Sequence, residues 1–269
     1  MASAGPQLPH HEFEQEVRKA AIAGKHDIEL AVFTPREGHD STVFLLHGLG
    51  DTAYGWTDAV VGFYARALPR CRFVLPTAPT VPVTLNMGMH MPSWYDLRGL
   101  GDRDAESCDG IEDTRAFLAA LVDEEIARGI PASRIVLAGF SQGGACSLYT
   151  GLQLGVTLGG ILCKSGYLPC AGAVAEAVTD AAKRTPVLML HGDDDPMVLP
   201  SWAEKSRAAI EAMGVESLGF KMYRGLQHSA SIDELVDATA WLVERVGDGG
   251  AGDGDDDAGG GAGGAKSAL

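Results

Sequence analysis

The chain has 269 residues, 46% hydrophobic and 21% charged, a length and balance that suit one large α/β domain or two small ones with an ample core. Lys and Arg total 21 against 36 Asp and Glu, a formal net charge of -15, and such a surface repels phosphate backbones and anionic lipid heads, which argues against a nucleic-acid partner. No apolar run is long enough to cross a bilayer, so stable membrane insertion is not expected.

Residues 1–25 read as a polar or weakly helical N-terminal extension without the profile of a secretion signal. The five cysteines form no C-x-x-C pair, and reduced thiols in a cytoplasmic protein fit them better than a disulfide framework or a zinc site. From residue 26 to 246 apolar runs alternate with helical spacing. Ile28–Thr34, Thr42–Leu46 and Arg72–Leu75 read as strands, with a helix over Trp56–Leu68 between the second and third. A long Pro- and Met-containing stretch runs from Pro76 to about Ser107. An amphipathic helix then covers Ile111–Arg128, followed by a strand at Arg134–Ala138 and a helix from Gln142. Strands at Gly160–Cys163, Pro186–Leu190 and Gly219–Tyr223 alternate with helices near Ala171–Lys183, Trp202–Met213 and Ser231–Val246. Such alternation predicts a mostly parallel central sheet with helices on both faces, where ligands bind beyond the carboxyl ends of the strands. Residues 247–269, rich in Gly and Asp, have nothing to bury and are expected to be a disordered tail.

The strand ends carry the chemistry. Gly139-Phe140-Ser141-Gln142-Gly143 is G-x-S-x-G between a strand and a helix, the setting in which a tight turn lifts a serine hydroxyl above a sheet. A serine nucleophile needs a histidine base, and the base needs an acid. Only His191 and His228 follow Ser141. His228 lies in the loop before the last helix, where a base reaching back to Ser141 belongs, while His191 is expected to hold a loop by hydrogen bonds. The acid is expected from the loop His191-Gly-Asp193-Asp194-Asp195-Pro196, in which spacing does not choose among the three carboxylates. They complete no metal-ligand pattern, so no metal or cofactor is expected. Two backbone N–H groups are needed for a tetrahedral oxyanion: Gln142, after the nucleophile, and Leu49, in the glycine-rich loop His47-Gly-Leu-Gly50 after an early strand.

Taken together and in order, Leu46-His-Gly-Leu-Gly-Asp-Thr52, Pro82-Val-Thr-Leu-Asn-Met87, Met91-Pro-Ser-Trp-Tyr-Asp96, Gly139-Phe-Ser-Gln-Gly-Gly144, His191-Gly-Asp-x-Asp-Pro196 and Gly225-x-x-His-Ser229 resemble the acyl-protein thioesterase and lysophospholipase family of small α/β-hydrolases. The resemblance covers roughly residues 42–246. It implies the α/β-hydrolase fold, a catalytic triad of Ser141, Asp195 (the Asp before Pro) and His228, and hydrolysis of long acyl chains from cysteine thioesters on proteins. Lysophospholipids are further substrates of that kind, and the oligomeric state it allows is a monomer or weak dimer. It also implies an acyl-binding tunnel beside Ser141, for which Met87, Met89, Met91, Leu97, Tyr167 and Met197 are candidates; methionine adapts to a flexible chain. A short-chain carboxylesterase and a non-catalytic receptor on the same scaffold are the alternatives.

The chain departs from the family pattern in four places. It has no cysteine before Cys71 for lipidation near the N-terminus. Ser165-Gly-Tyr-Leu-Pro169 replaces the common Ser-Cys-Trp-Leu-Pro, which bears on chain-length preference. Both termini are extended, and the charged stretch Arg98–Glu106 bears on the lid.

Overall fold

The computed structural model describes residues 12–22, 24, 26–101 and 106–247. Ten strands form an eight-stranded sheet and a separate hairpin. The sheet order is β1 (Phe13–Ile22), β2 (His26–Pro35), β4 (Cys71–Pro76), β3 (Ser41–Leu46), β7 (Ile135–Phe140), β8 (Gly160–Lys164), β9 (Val187–Gly192) and β10 (Leu218–Tyr223). From β4 to β10 all neighbours run parallel, and β2 and β1 are added antiparallel at one edge. Six parallel strands are covered by helices on both faces, which is why β3, β4, β7 and β8 read as unbroken apolar runs and are buried along almost their whole length. This is the α/β architecture expected from the alternation.

The chain leaves β3 for β4 on one side and later returns to β7 on the other. The crevice beyond the carboxyl ends of β3 and β7 is therefore a topological switch point, the place where this architecture leaves room for a ligand. Two apolar layers hold the sheet. One packs Phe44, Leu46, Leu118, Val122, Leu137 and Leu148 together, and the other packs Phe33, Phe73, Leu75, Val136, Leu162 and Leu242.

Four local expectations are corrected. The lead-in is not helical over Phe13–Ile22; that segment is β1, paired residue for residue with β2 over its full length. Its inner positions are Glu, Gln, Arg, Lys and Ala around a single Val17, mostly poor strand formers, and the pairing together with buried Phe13 and Ile22 overrides that preference. Its exposed charges suit an edge strand. The helix expected at Trp56–Leu68 spans 53–67 and is interrupted by a π-turn at Val60–Tyr64. The stretch after Pro76 contains the hairpin β5 (Thr80–Val83) and β6 (Met89–Pro92). The helix expected over Ala171–Lys183 is two helices, Ala171–Ala177 and Asp180–Lys183, because Thr179 caps the second by accepting from Ala182 N–H. The remaining helices are Ile111–Ala127, Gln142–Gly151, Pro200–Ala212 and Ile232–Val246. The expected disordered tail beyond Gly247, and the first 11 residues, lie outside the described residues. No helix among the described residues is long and apolar enough to cross a membrane.

Candidate active site

The turn from β7 into helix Gln142–Gly151 sets Ser141 at φ 54° and ψ −119°, a left-handed backbone that a non-glycine residue holds only when its surroundings enforce it. The surroundings do so from both sides. Ser141 N–H donates to Lys164 O at 2.8 Å, and Ser141 O accepts from Ala145 N–H at 2.9 Å. The flanking glycines are obligatory for steric reasons: a Cβ on Gly139 would lie 2.2 Å from Gly143 C, and one on Gly143 would lie 2.4 Å from Leu46 O.

Ser141 Oγ then lies 2.9 Å from His228 Nε2, and His228 Nδ1 lies 2.7 Å from Asp195 Oδ2. The three residues come from loops after β7, β9 and β10. Asp195 is buried, and its other oxygen accepts from Met197 N–H at 2.8 Å and Val198 N–H at 2.9 Å. Burial by itself raises the Asp195 carboxyl, but the bond to His228 and these two amides outweigh it and hold the group below the usual carboxylate range. An ionised Asp195 accepts a hydrogen bond from His228 Nδ1–H, which leaves Nε2 bare to accept from the serine hydroxyl. His191 is separately engaged: its Nε2 lies 2.7 Å from Val198 O, clasping the acid loop. Of the other two carboxylates, Asp193 accepts from Gly225 N–H at 2.6 Å, and Asp194 is exposed. Among the described residues no group of three or more His, Cys, Asp or Glu is arranged to hold a metal ion.

The loop after β3 approaches from the other side. A Cβ on Gly48 would stand 3.3 Å from Ser141 Cβ, a tight contact that glycine spares where the loop nears the elbow. His47 is buried; its Nε2 accepts from Ala78 N–H at 2.9 Å, so Nδ1 carries the proton and donates to Gly48 O at 2.6 Å. Burial lowers its pKa, in keeping with a neutral ring. Leu49 and Gln142 both line the cleft above Ser141, and neither amide has an acceptor among the described residues.

That cleft has a volume of about 340 Å³ and is lined by Gly48, Leu49, Asp51, Leu85, Asn86, Met91, Tyr95, Leu97, Leu100, Phe140, Ser141, Gln142, Tyr167, Met197, Val198 and His228. The structure therefore brings Met91, Leu97, Tyr167 and Met197 of the expected acyl residues to the site. Met87 and Met89 are not there. Met87 ends the turn of the β5–β6 hairpin in a left-handed conformation and is 92% exposed, and Met89 is 56% exposed. Met89 and Met91 lie two apart in β6 and so share a face of the hairpin, and of the two only Met91 lines the cleft. Of the charged stretch 98–106, Arg98 pairs with Asp109 at 2.6 Å on the surface, Leu100 faces the cleft, and 102–105 lie outside the described residues.

The sequence reading missed the Gln142 side chain. It is buried, donates through Nε2 to Ser93 Oγ at 3.0 Å and Tyr95 O at 2.8 Å, and accepts from Trp94 N–H at 3.0 Å. The residue after the nucleophile thus clamps segment 93–95, which forms one wall. Tyr95 also went unmarked; its hydroxyl lies 2.8 Å from that of Tyr167, which donates to Glu106 Oε2 at 2.6 Å. No sequence signal marks either partnership, since both join residues far apart in the chain.

The phospholipase/carboxylesterase family model matches residues 28–244. The chain belongs to this family. Among its relatives, a protein named acyl-protein thioesterase 1 from Gibberella zeae is 41% identical over 223 residues, covering 80% of this chain and 94% of that protein. The protein of the same name from Yarrowia lipolytica is 37% identical, with 78% and 94% covered. Among solved structures, Zea mays acyl-protein thioesterase 2 superposes with a TM-score of 0.73 at 29% identity, covering 81% of this chain and 99% of that one. Arabidopsis thaliana SOBER1 gives 0.72 at 34% identity, with 77% and 99% covered. The α/β-hydrolase fold shared by these phospholipase/carboxylesterase members places the chain among the family's hydrolases.

Proposed function

We propose that the protein is a serine hydrolase that releases long acyl chains from cysteine thioesters on proteins, with Ser141 as nucleophile, His228 as base and Asp195 as the acid that orients it. The observation that carries this reading is the unbroken line Asp195 Oδ2–His228 Nδ1 and His228 Nε2–Ser141 Oγ, at 2.7 and 2.9 Å, opening onto a cleft with mostly apolar walls. The names of the relatives support the substrate class.

In the first step Ser141 Oγ attacks the acyl carbonyl carbon while His228 Nε2 takes the hydroxyl proton. The carbonyl oxygen becomes an oxyanion held by Leu49 and Gln142 N–H, an effect worth roughly 3–4 kcal/mol per donor. Asp195 stabilises the imidazolium. The C–S bond breaks, the thiol leaves with the proton from His228, and an acyl-serine remains. In the second step His228 deprotonates a water that attacks the acyl carbonyl, the C–O bond to Ser141 breaks as His228 gives the proton to Ser141 Oγ, and the fatty acid is released. An ester of a lysophospholipid passes through the same steps with an alkoxide leaving group that depends more on proton donation. The chemistry draws only on these side chains and backbone amides.

The test is a series of thioesters and oxygen esters of increasing acyl length on the purified protein. The expected result is a kcat/KM that rises toward long chains and favours the thioester. A second reading, a short-chain carboxylesterase, draws support from the hydrogen-bonded hydroxyls of Tyr95 and Tyr167, which give the cleft a polar stretch of wall. A maximum at the shortest acyl chains would select it.

A further inference from the structure

Two buried charges beside the site, Lys164 and Glu234, have no part in the steps above. Lys164 ends β8 and is completely buried. Its ammonium donates to Tyr64 Oη at 3.2 Å and lies 3.6 Å over the centroid of the Trp56 ring. Glu234, in the first turn of helix Ile232–Val246, is also completely buried, and neither of its carboxylate oxygens has a hydrogen-bond partner. The sequence Ser231-Ile-Asp-Glu234 has the spacing of a capping box, in which the glutamate reaches back to the cap residue. Ser231 does its half, accepting from Glu234 N–H at 3.1 Å. The Glu234 carboxylate does not return the bond. Its charge acts instead on Lys164 and on the Tyr64 hydroxyl that accepts from Lys164. Burial pushes the Lys164 ammonium down and the Glu234 carboxyl up, and each is restrained by the charge of the other.

A charge left in the interior without a full set of partners costs stability, so its position calls for an explanation. Both members sit one step from the reacting pair. The Lys164 carbonyl accepts the Ser141 N–H and so fixes the elbow. Glu234 is six residues after His228, at the start of the helix that ends the His228 loop. The space between holds rings tilted against one another: Trp56 lies 5.2 Å from Phe140, and Phe140 lies 4.9 Å from His228, centroid to centroid. The final helix also packs on the π-turn that carries Tyr64.

We propose that Lys164 and Glu234 are positioning residues: their buried attraction draws the helix after His228 toward the strand end that seats Ser141, and so sets the distance between base and nucleophile. The inference rests on Ser141 and His228 as the reacting pair. Attraction between opposite charges acts along the line that joins the two elements, whereas apolar packing at the same place would fill space without a preferred direction.

The test compares Glu234→Gln, which keeps the shape and removes the charge, with Glu234→Asp, which keeps the charge and shortens the side chain. The readouts are kcat and KM on an acyl thioester, the second-order rate of Ser141 labelling by a fluorophosphonate, and Tm. The expected result is a fall of about tenfold in kcat and labelling rate for Gln with KM little changed, as small misplacements of reacting groups produce, and a smaller fall for Asp. Gln retaining as much kcat and labelling as Asp would overturn the proposal. Should Glu234→Gln fail to fold because Lys164 is left alone, the double variant Lys164→Met/Glu234→Gln removes both charges. A double variant with restored Tm and still slow labelling supports positioning; one that labels at the wild-type rate overturns it. A wild-type protein that is not labelled at Ser141 would overturn the hydrolase reading, and this inference with it.

Discussion

The two ends of the central sheet bury charge in opposite ways. At the amino ends of β3 and β4, Glu125 of helix Ile111–Ala127 is a hub: one oxygen accepts from Arg72 at 2.7 Å and from Arg128, the other from Thr42 Oγ1 at 2.6 Å and His39 Nε2 at 3.2 Å. Both oxygens are saturated and the helix is bolted to two strands. At the carboxyl ends, Glu234 has no hydrogen bond on either oxygen among the described residues, Ser141 holds a strained backbone, and the amides of two residues lining the cleft have no acceptor among them. One end of the sheet is built to be stable. The other leaves polar groups unmet where a reacting carbonyl has to fit. The comparison teaches that buried charge in this protein is read by its partners, not by its burial: Glu125, bonded on both oxygens, ties a helix to two strands, whereas Glu234 has neither oxygen bonded among the described residues.

The largest effect expected from breaking the comparison lies at the carboxyl end. His228→Ala and Asp195→Asn should each lower kcat by roughly 10⁴-fold while Tm stays near that of the wild type; steady-state kinetics with a thermal melt checks both at once, and a large Tm loss in parallel would place these residues in the fold instead. At the amino end the signs reverse. Glu125→Gln leaves Arg72 and Arg128 facing a neutral group and should cost about 3 kcal/mol in urea unfolding, with kcat of the folded enzyme unchanged. Acid sharpens the same point. Burial raises the Glu125 carboxyl, but His39, Thr42, Arg72 and Arg128 together hold it at about 2 against an ordinary 4.5. Its contribution is therefore complete above pH 4.5 and is lost as pH falls toward 2, so stability measured across that range should slope more steeply for the wild type than for Glu125→Gln. The smallest effect is expected at the cleft wall. Tyr167→Phe removes the hydroxyl that meets Tyr95 and Glu106, and should raise kcat/KM for the longest acyl chains by about threefold relative to short ones; an unchanged acyl-length profile would show that this hydroxyl does not shape the cleft.

The sequence exposes those parts of the protein whose cause is local. G-x-S-x-G is legible because the turn tolerates no Cβ at Gly139 or Gly143, and the parallel strands are legible because burial on both faces demands unbroken apolar runs. His228 is legible from chain order and from its place before the last helix. Among Asp193, Asp194 and Asp195 the residues themselves do not decide, since what separates them is the receipt of two amides and a histidine from across the site. The same limit hides β1, whose composition argues against a strand and whose cause lies in its pairing with β2. It hides the Gln142 side chain, which acts on Ser93, Trp94 and Tyr95 about fifty positions away. The methionines show it most plainly: Met87, Met89 and Met91 are alike in type and spacing, yet only Met91 lines the cleft, while Met87 and Met89 are exposed.

The chemistry proposed for the site rests on the Ser141 hydroxyl. Its most direct test is Ser141→Ala assayed on a long-chain S-acyl peptide beside the wild type, with a thermal melt to verify the fold. The proposed role of Ser141 predicts loss of turnover with an unaltered melt. Retained turnover of that thioester by the folded variant would contradict it.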